Sequence, residues 1–317
     1  MSREIDPEVP GEGEKPSTLN RRTVLECMAW CGTGLLWSFA GGVPVSRVFA
    51  KEAKKGAQAD FTFAQISDSH IGFNKPVNPD VTGTLRTAVA KINAESSQPD
   101  FVLHTGDLSH NGKAEEFDAM QQVLTGVKAP MIYVPGEHDT AGDDGKLYRE
   151  RFAKDKANGW QSFQHKGVQF FGLTNVLVLE GMGRLGPEQV KWVKDQVDPL
   201  PKSTPIVLFA HIPLWAVYPD WGWATSDSAD LFASLKKFGS VTVLNGHIHQ
   251  VMQKVEGNAT FHTAMSTAFT QPKPGTAPSP GPMKVPADKL KSVLGITDVH
   301  FQPHVHPLAV VDSSLES

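Results

Sequence analysis

Short apolar runs alternate with amphipathic segments through the middle of the chain, and this alternation predicts its elements. The apolar runs that predict buried strands are FTFAQI (61–66), FVLHTG (101–106), MIYV (131–134), GVQFFGLT (167–174), PIVLFA (205–210) and VTVLNG (241–246). Apolar residues at helical spacing predict helices over residues 84–94, over 114–124, from Pro187 onward and near 230–238. Strands separated by helices indicate an α/β layered domain over residues 61–270.

The pattern changes after residue 250. The runs VMQKV (251–255) and ATFHTA (259–264) flank a Gly-Asn pair and predict a hairpin. The string QPKPGTAPSPGP (271–282) is a proline-rich break with no core of its own. Beyond it, the sequence predicts a short helix over 288–294 and a strand near 304–311. We therefore interpret residues 271–317 as a proline-rich segment and a C-terminal extension.

The first fifty residues differ in character from the rest of the chain. A polar, Pro- and Gly-rich stretch precedes Arg21-Arg22, and a weakly apolar run over 28–45 follows. The string NRRTVLE resembles the twin-arginine export signal, although Glu26 stands where Lys is commoner. We expect a twin-arginine-type signal peptide over 1–50 and a linker over 51–60. The partner would then be the twin-arginine export machinery, and the mature protein would be periplasmic or secreted.

Composition narrows the possible functions. The alternative for the apolar run is a transmembrane anchor, but the run holds four glycines, so we expect no stable anchor in the mature form. A formal net charge of -4 gives no support for nucleic acid or an anionic membrane surface as a dedicated partner. Both cysteines, Cys27 and Cys31, lie in the predicted signal peptide. A mature chain without cysteine has no disulfide scaffold, no thiolate metal site and no Cys nucleophile.

Five of the predicted strands are followed by side chains that can bind metal. In chain order these are Asp68 and His70, Asp107, Glu137 with His138 and Asp139, His211, and His247 with His249. The carboxyl ends of strands meet at one edge of an α/β sheet, where such folds place their ligands. Residues two apart in an extended segment point the same way, so Asp68 should face the site with His70, and His247 with His249. A solvated loop explains one such strand end but not five.

The order of these residues carries a resemblance to a known family. The motifs Asp-x-His, Gly-Asp, Gly-(Asn)-His-Asp, a lone His and Gly-His-x-His follow one another over 61–270 and resemble those of calcineurin-like metallophosphoesterases. The resemblance implies a central β-sandwich flanked by helices, in αββα layers, with two metal ions at the strand ends. The ligands it implies are Asp68, His70 and His249 for one ion, Glu137, His211 and His247 for the other, and Asp107 as the bridge.

The resemblance also implies a reaction. Two ions that share a hydroxide would make this an exported, dinuclear phosphatase or phosphodiesterase that hydrolyses a small phosphomonoester or phosphodiester. Imidazole and carboxylate ligands suit Fe, Mn, Zn or Ni and leave the identity of the metal open. His138 would lie beside the scissile phosphate as an acid or hydrogen-bond donor. Asp139 would orient His138.

Glu137 departs from the family motif, which usually has Asn at this position. Together with Asp68, Asp107 and a hydroxide, a ligating Glu137 would leave two divalent ions with no net charge, whereas Asn would leave +1. We predict that Glu137 is a ligand, because carboxylates bind hard metals well. The alternative is that Glu137 turns away. The protein would then be a metal-binding protein on the same fold with weak or lost turnover.

Several further residues have alternatives that the sequence leaves open. His110 follows the second motif, where purple acid phosphatases carry a tyrosine ligand, and we predict a role beside a metal ligand or facing the substrate. His104 is predicted to be a core residue. The segment 215–223 holds three Trp and one Tyr, which could stack a nucleobase or aryl group or simply pack on themselves. The histidines predicted to lie on the surface, outside the resemblance, are His300, His304 and His306.

Overall fold

The computed structural model describes residues 35–40, 43–48, 59–153, 158–177, 181–305 and 307–316. The chain divides into two compact units, residues 1–54 and residues 55–317. In the first unit, strands β1 (Leu35–Ala40) and β2 (Val43–Val48) pair antiparallel. Arg21 and Arg22 of the predicted export signal lie outside the described residues. Among those described, no helix is long and apolar enough to cross a membrane.

The larger unit contains eleven described strands and five described α-helices. The strands are β3 (Phe61–Ile66), β4 (Val102–His104), β5 (Met131–Tyr133), β6 (Gln161–His165), β7 (Val168–Gly172), β8 (Ile206–Ala210), β9 (Val241–Asn245), β10 (Met252–Glu256), β11 (Ala259–Thr263), β12 (Gly295–Phe301) and β13 (Ala309–Ser314). The helices are α1 (Val81–Ala94), α2 (Ala114–Leu124), α3 (Lys146–Phe152), α4 (Pro187–Val197) and α5 (Ser228–Leu235). Short 3-10 helices cover His138–Thr140, Pro219–Trp221 and Ala287–Val293.

The strands form two mixed sheets. The five-stranded sheet has the order β13-β12-β3-β4-β5, and the six-stranded sheet has the order β10-β11-β9-β8-β7-β6. Strands β3, β4 and β5 are parallel to one another, as are β7, β8, β9 and β11. The carboxyl ends of these parallel strands carry the segments with the predicted ligands.

Each sheet packs on the other and on a pair of helices. Phe63, Phe170 and Phe209 are fully buried in the layer between the sheets, and the rings of Phe63 and Phe170 meet edge to face at 5.5 Å. On the outer side of the five-stranded sheet, α1 and α2 bury their apolar faces, as α4 and α5 do on the six-stranded sheet. The predicted α/β fold, a β-sandwich flanked by helices, is confirmed.

Local signals explain why the helices begin where they do. The carboxylate of Asp80 accepts a hydrogen bond from the Gly83 amide at 2.8 Å and caps the first turn of α1. Pro187 occupies the first turn of α4, where its missing N–H would have had no partner in the helix. Both helices then place their apolar residues on the face that the sheet covers.

All six predicted apolar-run strands and the predicted hairpin are present, but the sequence missed β6, β12 and α3. The strand β6 has the sequence QSFQH, which contains no apolar run. More consequentially, β12 pairs with β3, with Phe301 opposite Phe61, and lies between β3 and β13. The boundary drawn at residue 270 is therefore wrong as an end of the folded core. The strand predicted near 304–311 begins at Ala309, and His304 lies in the turn before it.

Candidate metal centre

Loops from both sheets supply the candidate ligands. Asp68, Asp107 and Glu137 follow β3, β4 and β5 of the five-stranded sheet, and the histidines after β8 and β9 come from the six-stranded sheet. The loops after β3 and β4 run side by side, since the Asp68 and His70 amides donate to the carbonyls of Gly106 and Asp107 at 3.0 and 2.9 Å. The site thus lies at an edge shared by two sheets and not at the edge of one, as the sequence had suggested.

The backbone at the ligands is left-handed. Asp68, His70, Asp107, His247 and His249 have φ between 42° and 71°, and they are five of the eight described non-glycine residues with positive φ. Such backbone is uncommon outside glycine and collects at functional sites. It also breaks the alternation of an extended strand. His247 and His249, which extended backbone would point the same way, contact different ligand groups, in agreement with the assignment that the family resemblance implies.

The first ligand group contains Asp68, His70 and His249. His249 Nε2 lies 3.2 Å from Asp68 Oδ1 and 3.2 Å from His70 Nε2. The three side chains are at most 2% exposed. His249 Nδ1 donates to the carbonyl of Phe269 at 2.6 Å, which fixes the ring with Nε2 toward the group.

The second ligand group contains Glu137, His211 and His247. Glu137 Oε2 lies 2.8 Å from His211 Nε2, and Glu137 Oε1 lies 2.9 Å from His247 Nδ1. His211 Nδ1 donates to the carbonyl of Thr105 at 2.7 Å, so Nε2 is the atom presented to the group. Glu137 thus occupies the position that the sequence analysis assigned to it and is not turned away.

Asp107 lies between the two groups. Its Oδ2 atom is 3.5 Å from His70 Nε2 of the first group and 3.4 Å from His211 Nε2 of the second. Its Oδ1 atom accepts a hydrogen bond from the His138 amide at 3.0 Å. Gly136 allows this approach, because a Cβ at that position would overlap the Asp107 carboxylate.

The hydrogen bonding of the second group tests whether these residues fit metal ions. Glu137 Oε2, His211 Nε2 and both ring nitrogens of His247 are buried and make no hydrogen bond to a described residue. The short Glu137–His211 and Glu137–His247 distances therefore join atoms that are close without being aligned as donor and acceptor. Buried polar atoms rarely remain unpaired, and atoms converging without mutual hydrogen bonds suit a cation at their centre. The arrangement fits two ions, one for each group, with Asp107 shared.

The electrostatics of the cluster lead to the same conclusion. Burial raises the pKa of Glu137, but the imidazoles of His247 and His211 outweigh this effect and hold the pKa well below its usual range. Burial lowers the pKa of His211, yet the charges of Asp107 and Glu137 raise it well above normal. The carboxylates thus keep their negative charge and draw protons onto a neighbouring imidazole. A bound cation would supply that positive charge directly.

His138 lies beside the second group, and a carbonyl fixes its ring. His138 Nδ1 donates to the carbonyl of His110 at 2.7 Å, so Nδ1 carries a proton and Nε2 is left for the adjacent cavity. Burial lowers the pKa of His138, but Asp107 and Glu137 raise it by more, so the pKa lies above its usual value. A positioned imidazole of this kind can donate a proton or a hydrogen bond.

Asp139 does not orient His138, and that prediction is wrong. The Asp139 carboxylate accepts hydrogen bonds from the amides of Leu108, Ser109 and Gly136 and from the Ser109 hydroxyl, at 2.8–3.1 Å. Burial and the nearby charge of Asp107 raise the pKa of Asp139 to about 7. Asp139 therefore ties the loop after β4 to the loop after β5, and the His110 carbonyl takes the role that the resemblance implied for Asp139.

His110 contacts a predicted ligand through its side chain. Its Nδ1 atom lies 3.3 Å from His70 Nδ1, and its ring stacks on His138 with 4.8 Å between centroids. His110 thus lies beside a ligand, which is one of the two roles the sequence left open. His104 is buried and bonded to the Ser69 hydroxyl at 2.8 Å, as expected of a core residue. His306 lies outside the described residues.

A cavity of about 220 Å³ opens beside the ligand groups, and some of its walls were missed by the sequence analysis. The lining residues outside the ligand set and its histidine neighbours are Phe73, Lys75, Trp221, Trp223, Phe269, Gln271 and 280–282. The Trp residues were marked by their clustering in the sequence, whereas no local signal indicated that residues 280–282 would approach the site. A larger cavity of about 660 Å³ lies between α5 and β10–β11, and none of the candidate ligands lines it.

Comparison with known proteins agrees with this geometry. The calcineurin-like phosphoesterase family model matches residues 61–251. A 3',5'-cyclic-nucleotide phosphodiesterase of Nostoc sp. is 26% identical over 214 residues, which cover 66% of this chain and 79% of that protein. A probable glycerophosphodiester phosphodiesterase of Arcobacter nitrofigilis is 26% identical over 214 residues, 64% of this chain and 77% of that protein.

A solved structure shows the same fold. The purple acid phosphatase from yellow lupin (Lupinus luteus) seeds superposes with a TM-score of 0.62 at 13% identity. The match covers 82% of this chain and 52% of the lupin protein, so this chain spans about half of that protein's length. The family model covers more than half of the chain, and its motif residues meet at one edge of the β-sandwich. The chain therefore belongs to the calcineurin-like phosphoesterase family.

Proposed function

We propose that this protein is an exported, dinuclear metal-dependent phosphodiesterase that hydrolyses a small phosphodiester. The observation that carries the proposal is the position of Asp107, with Oδ2 within 3.5 Å of one imidazole from each ligand group. A single carboxylate shared by two sets of buried ligands suits a pair of metal ions. When bound, such ions activate water as a nucleophile and hold the phosphate oxygens.

Seven side chains of the protein would hold the two ions, and backbone carbonyls orient two of these side chains. Asp68, His70 and His249 would hold one ion. The other ion would be held by Glu137, His211 and His247, and Asp107 is common to both groups. The carbonyls of Thr105 and Phe269 fix the rings of His211 and His249, which keeps their Nε2 atoms aimed inward without metal. Fe, Mn and Zn suit this donor set.

His138 would supply the proton that the reaction needs. Attack of water on phosphorus breaks the bond to the leaving oxygen, which departs as an alkoxide unless it is protonated. The Nδ1 atom of His138 is occupied by the His110 carbonyl, so Nε2 is the atom that can donate toward a substrate in the cavity. This role requires that His138 be protonated when the substrate binds.

Charge favours a diester over a monoester. Asp68, Asp107 and Glu137 would offset most of the charge of two divalent ions, so the centre would attract a dianionic monoester less than a centre with Asn at 137 would. A diester carries one negative charge and loses less of this attraction. The phosphodiesterase names of the two relatives agree with this choice.

Export is supported by the sequence alone. The Arg21-Arg22 pair and the apolar run after it fit a twin-arginine signal on a protein that works outside the cytoplasm. Such a location would restrict the substrate to small esters available in the periplasm or medium.

The decisive experiment is metal analysis of natively exported protein followed by an assay with bis(p-nitrophenyl) phosphate and p-nitrophenyl phosphate. We expect two ions per chain and faster hydrolysis of the diester. Asp107→Asn should abolish hydrolysis and lower the metal content, whereas Asp195→Asn, on the exposed face of α4, should change neither. Two bound ions with hydrolysis of neither ester under any metal would favour the alternative of a metal-binding protein. Full activity of Asp107→Asn would refute the shared carboxylate.

His138→Ala separates catalysis from metal binding. If His138 is the acid, its loss should lower turnover by about 10²–10⁴-fold. The metal content should stay at that of wild type, because the candidate ligands all remain. A matching loss of metal would show that His138 is a ligand instead.

A further inference from the structure

The cavity beside the metal centre has an aromatic wall that the reaction itself does not need. Trp221 and Trp223 lie in the loop after β8 and line the same cavity as His138. Trp223 is 1% exposed, whereas Trp221 is partly exposed. Of the alternatives open from the sequence, the structure therefore places part of the aromatic cluster at the site.

The Trp221 ring is held in place by its neighbours. It meets Tyr218 and Trp223 edge to face, with 5.1 Å between the centroids in each case. The amides of Val217 and Tyr218 donate to the Trp223 carbonyl, and the Trp223 amide donates back to the Tyr218 carbonyl. A ring fixed in this way costs little entropy when it binds a ligand.

The proline-rich segment forms a second apolar wall. Residues 280–282, Pro-Gly-Pro, line the cavity, and the Met283 amide that follows donates to the Thr270 carbonyl at 2.9 Å. At the other end of the segment, the Gln271 amide group donates to the His247 carbonyl at 3.0 Å. The segment, which was predicted to have no core of its own, is therefore attached at both ends next to the metal centre.

The chemistry of these walls indicates what they bind. The Trp221 indole and two prolines present flat apolar surface and few hydrogen-bonding groups, which suits a planar ring and not a polyol. Lys75, on the same cavity, is exposed and its ammonium makes no ion pair with a described residue. The Lys75 ammonium can attract the anionic phosphate, so the apolar walls are free to contact the organic group of the ester.

We propose that Trp221 and the 280–282 segment form a binding site for a planar aromatic substituent of the ester, of nucleoside type, stacked on the Trp221 indole. This inference rests on the proposed function only in that the phosphate lies at the metal centre. It assigns to Trp221 the choice between aromatic and polyol esters.

The test is a comparison of binding by the full-length, metal-loaded protein. The probes are adenosine 5'-monophosphate and glycerol 3-phosphate, which share a dianionic phosphate and differ in the ring. Dissociation constants are measured by calorimetry, so that no turnover is required. Wild type should bind the adenosine compound more tightly. Trp221→Leu should weaken that binding by about 5- to 100-fold, the range expected for loss of base stacking, and change glycerol 3-phosphate binding by less than about twofold.

Two further variants make the result specific. Trp221→Phe keeps an aromatic face and should retain most of the preference, which also covers the case that Trp221→Leu does not fold. Trp192→Leu makes the same substitution on α4, away from the cavity, and should leave both constants unchanged. Equal affinity of wild type for the two probes, or an equal loss of both in Trp221→Leu, would overturn the inference. Failure of the proposed function would show separately, as absence of diester hydrolysis with the adenosine preference intact.

Discussion

At the scale of single residues, the candidate centre depends on a few side chains in which one polar atom forms a hydrogen bond outside the ligand groups and the other faces the centre. His211 and His249 each donate Nδ1 to a backbone carbonyl, and Asp107 uses Oδ1 for the His138 amide. The remaining atom of each side chain is thereby aimed at the centre before any ion arrives. Such prior fixing lowers the entropy lost when a metal binds.

Glu137 sets the charge of this centre, and replacing it tests the charge argument. Glu137→Asn removes one negative charge, so inorganic phosphate should inhibit the metal-loaded enzyme several-fold more strongly, and monoester hydrolysis should gain relative to diester hydrolysis. The inhibition constant of phosphate and the metal content are measured together, with divalent metal in excess. Glu137→Gln keeps the length of the side chain and should strengthen inhibition by phosphate in the same way. If both variants leave metal content and phosphate inhibition unchanged, Glu137 does not contact the metals.

His110 gives a second prediction at this scale. A His70 that binds metal through Nε2 keeps its proton on Nδ1, and the His110 Nδ1 atom, 3.3 Å away, is placed to accept it. His110→Ala should therefore weaken metal affinity by about 10- to 100-fold, measured by competition with a chelator.

The matched control is His110→Asn. Its amide oxygen can take the position of Nδ1, so it keeps an acceptor for His70 while losing the ring that stacks on His138. Metal affinity near wild type in His110→Asn, with loss in His110→Ala, would assign the effect to the hydrogen bond. Equal losses in the two variants would assign it to the stacked ring.

At the scale of elements, the C-terminal strands are held to both sheets by one carboxylate. Asp312 on β13 accepts a hydrogen bond from the Thr297 hydroxyl of β12 at 2.7 Å and one from His262 Nε2 of β11 at 2.9 Å. His262 is 1% exposed, so it has little water to replace the lost partner.

Asp312→Ala should accordingly destabilise the protein. Leaving buried Thr297 and His262 without their acceptor should lower the free energy of unfolding by about 1–3 kcal/mol, as measured by urea denaturation. Val311→Ala changes the neighbouring residue, which is 50% exposed, and should have little effect. A loss as small in Asp312→Ala as in the control would mean that this link between the sheets contributes nothing.

At the scale of the whole molecule, the site exists only where the two sheets meet. The carboxylates come from the five-stranded sheet, whereas His211, His247 and His249 come from the six-stranded sheet. The Phe-rich layer between the sheets therefore sets the distance between the two ligand sets, and packing defects there should affect metal binding.

Export is the prediction that concerns the entire chain. Arg21→Lys combined with Arg22→Lys should leave uncleaved precursor in the cytoplasm, because the twin-arginine route requires the pair. Arg3→Lys makes the same change outside the motif and should be exported normally. Cell fractionation with detection of precursor and mature forms measures both. Normal processing of the double variant would exclude the twin-arginine route.

The strands and the identity of the candidate ligands could be predicted from local sequence. Apolar runs mark β3, β8 and β9 because a strand buried on both faces needs apolar residues at nearly every position. The ligand types at Asp68, His211 and the other strand ends were visible because such residues seldom follow buried strands so regularly. The polar strand β6 and the alternating β12 carry no such run, so sequence periodicity missed them.

What only the tertiary structure decided concerns which side chains meet. The left-handed backbone at His247 and His249 is visible only in the structure, because hydrophobic periodicity does not encode the conformation of single residues, although the family resemblance had already placed the two rings on different ions. Asp139 accepts hydrogen bonds from the loop after β4, and the His110 carbonyl orients His138. The second contact could not be predicted, because a backbone carbonyl has no sequence signature. Trp221 and residues 280–282, about sixty residues apart in the chain, line one cavity because hydrogen bonds of Gln271 and Met283 hold the proline-rich segment beside the centre. The sequence thus determined which chemical groups are available at the strand ends, and long-range packing determined which of their atoms come into contact.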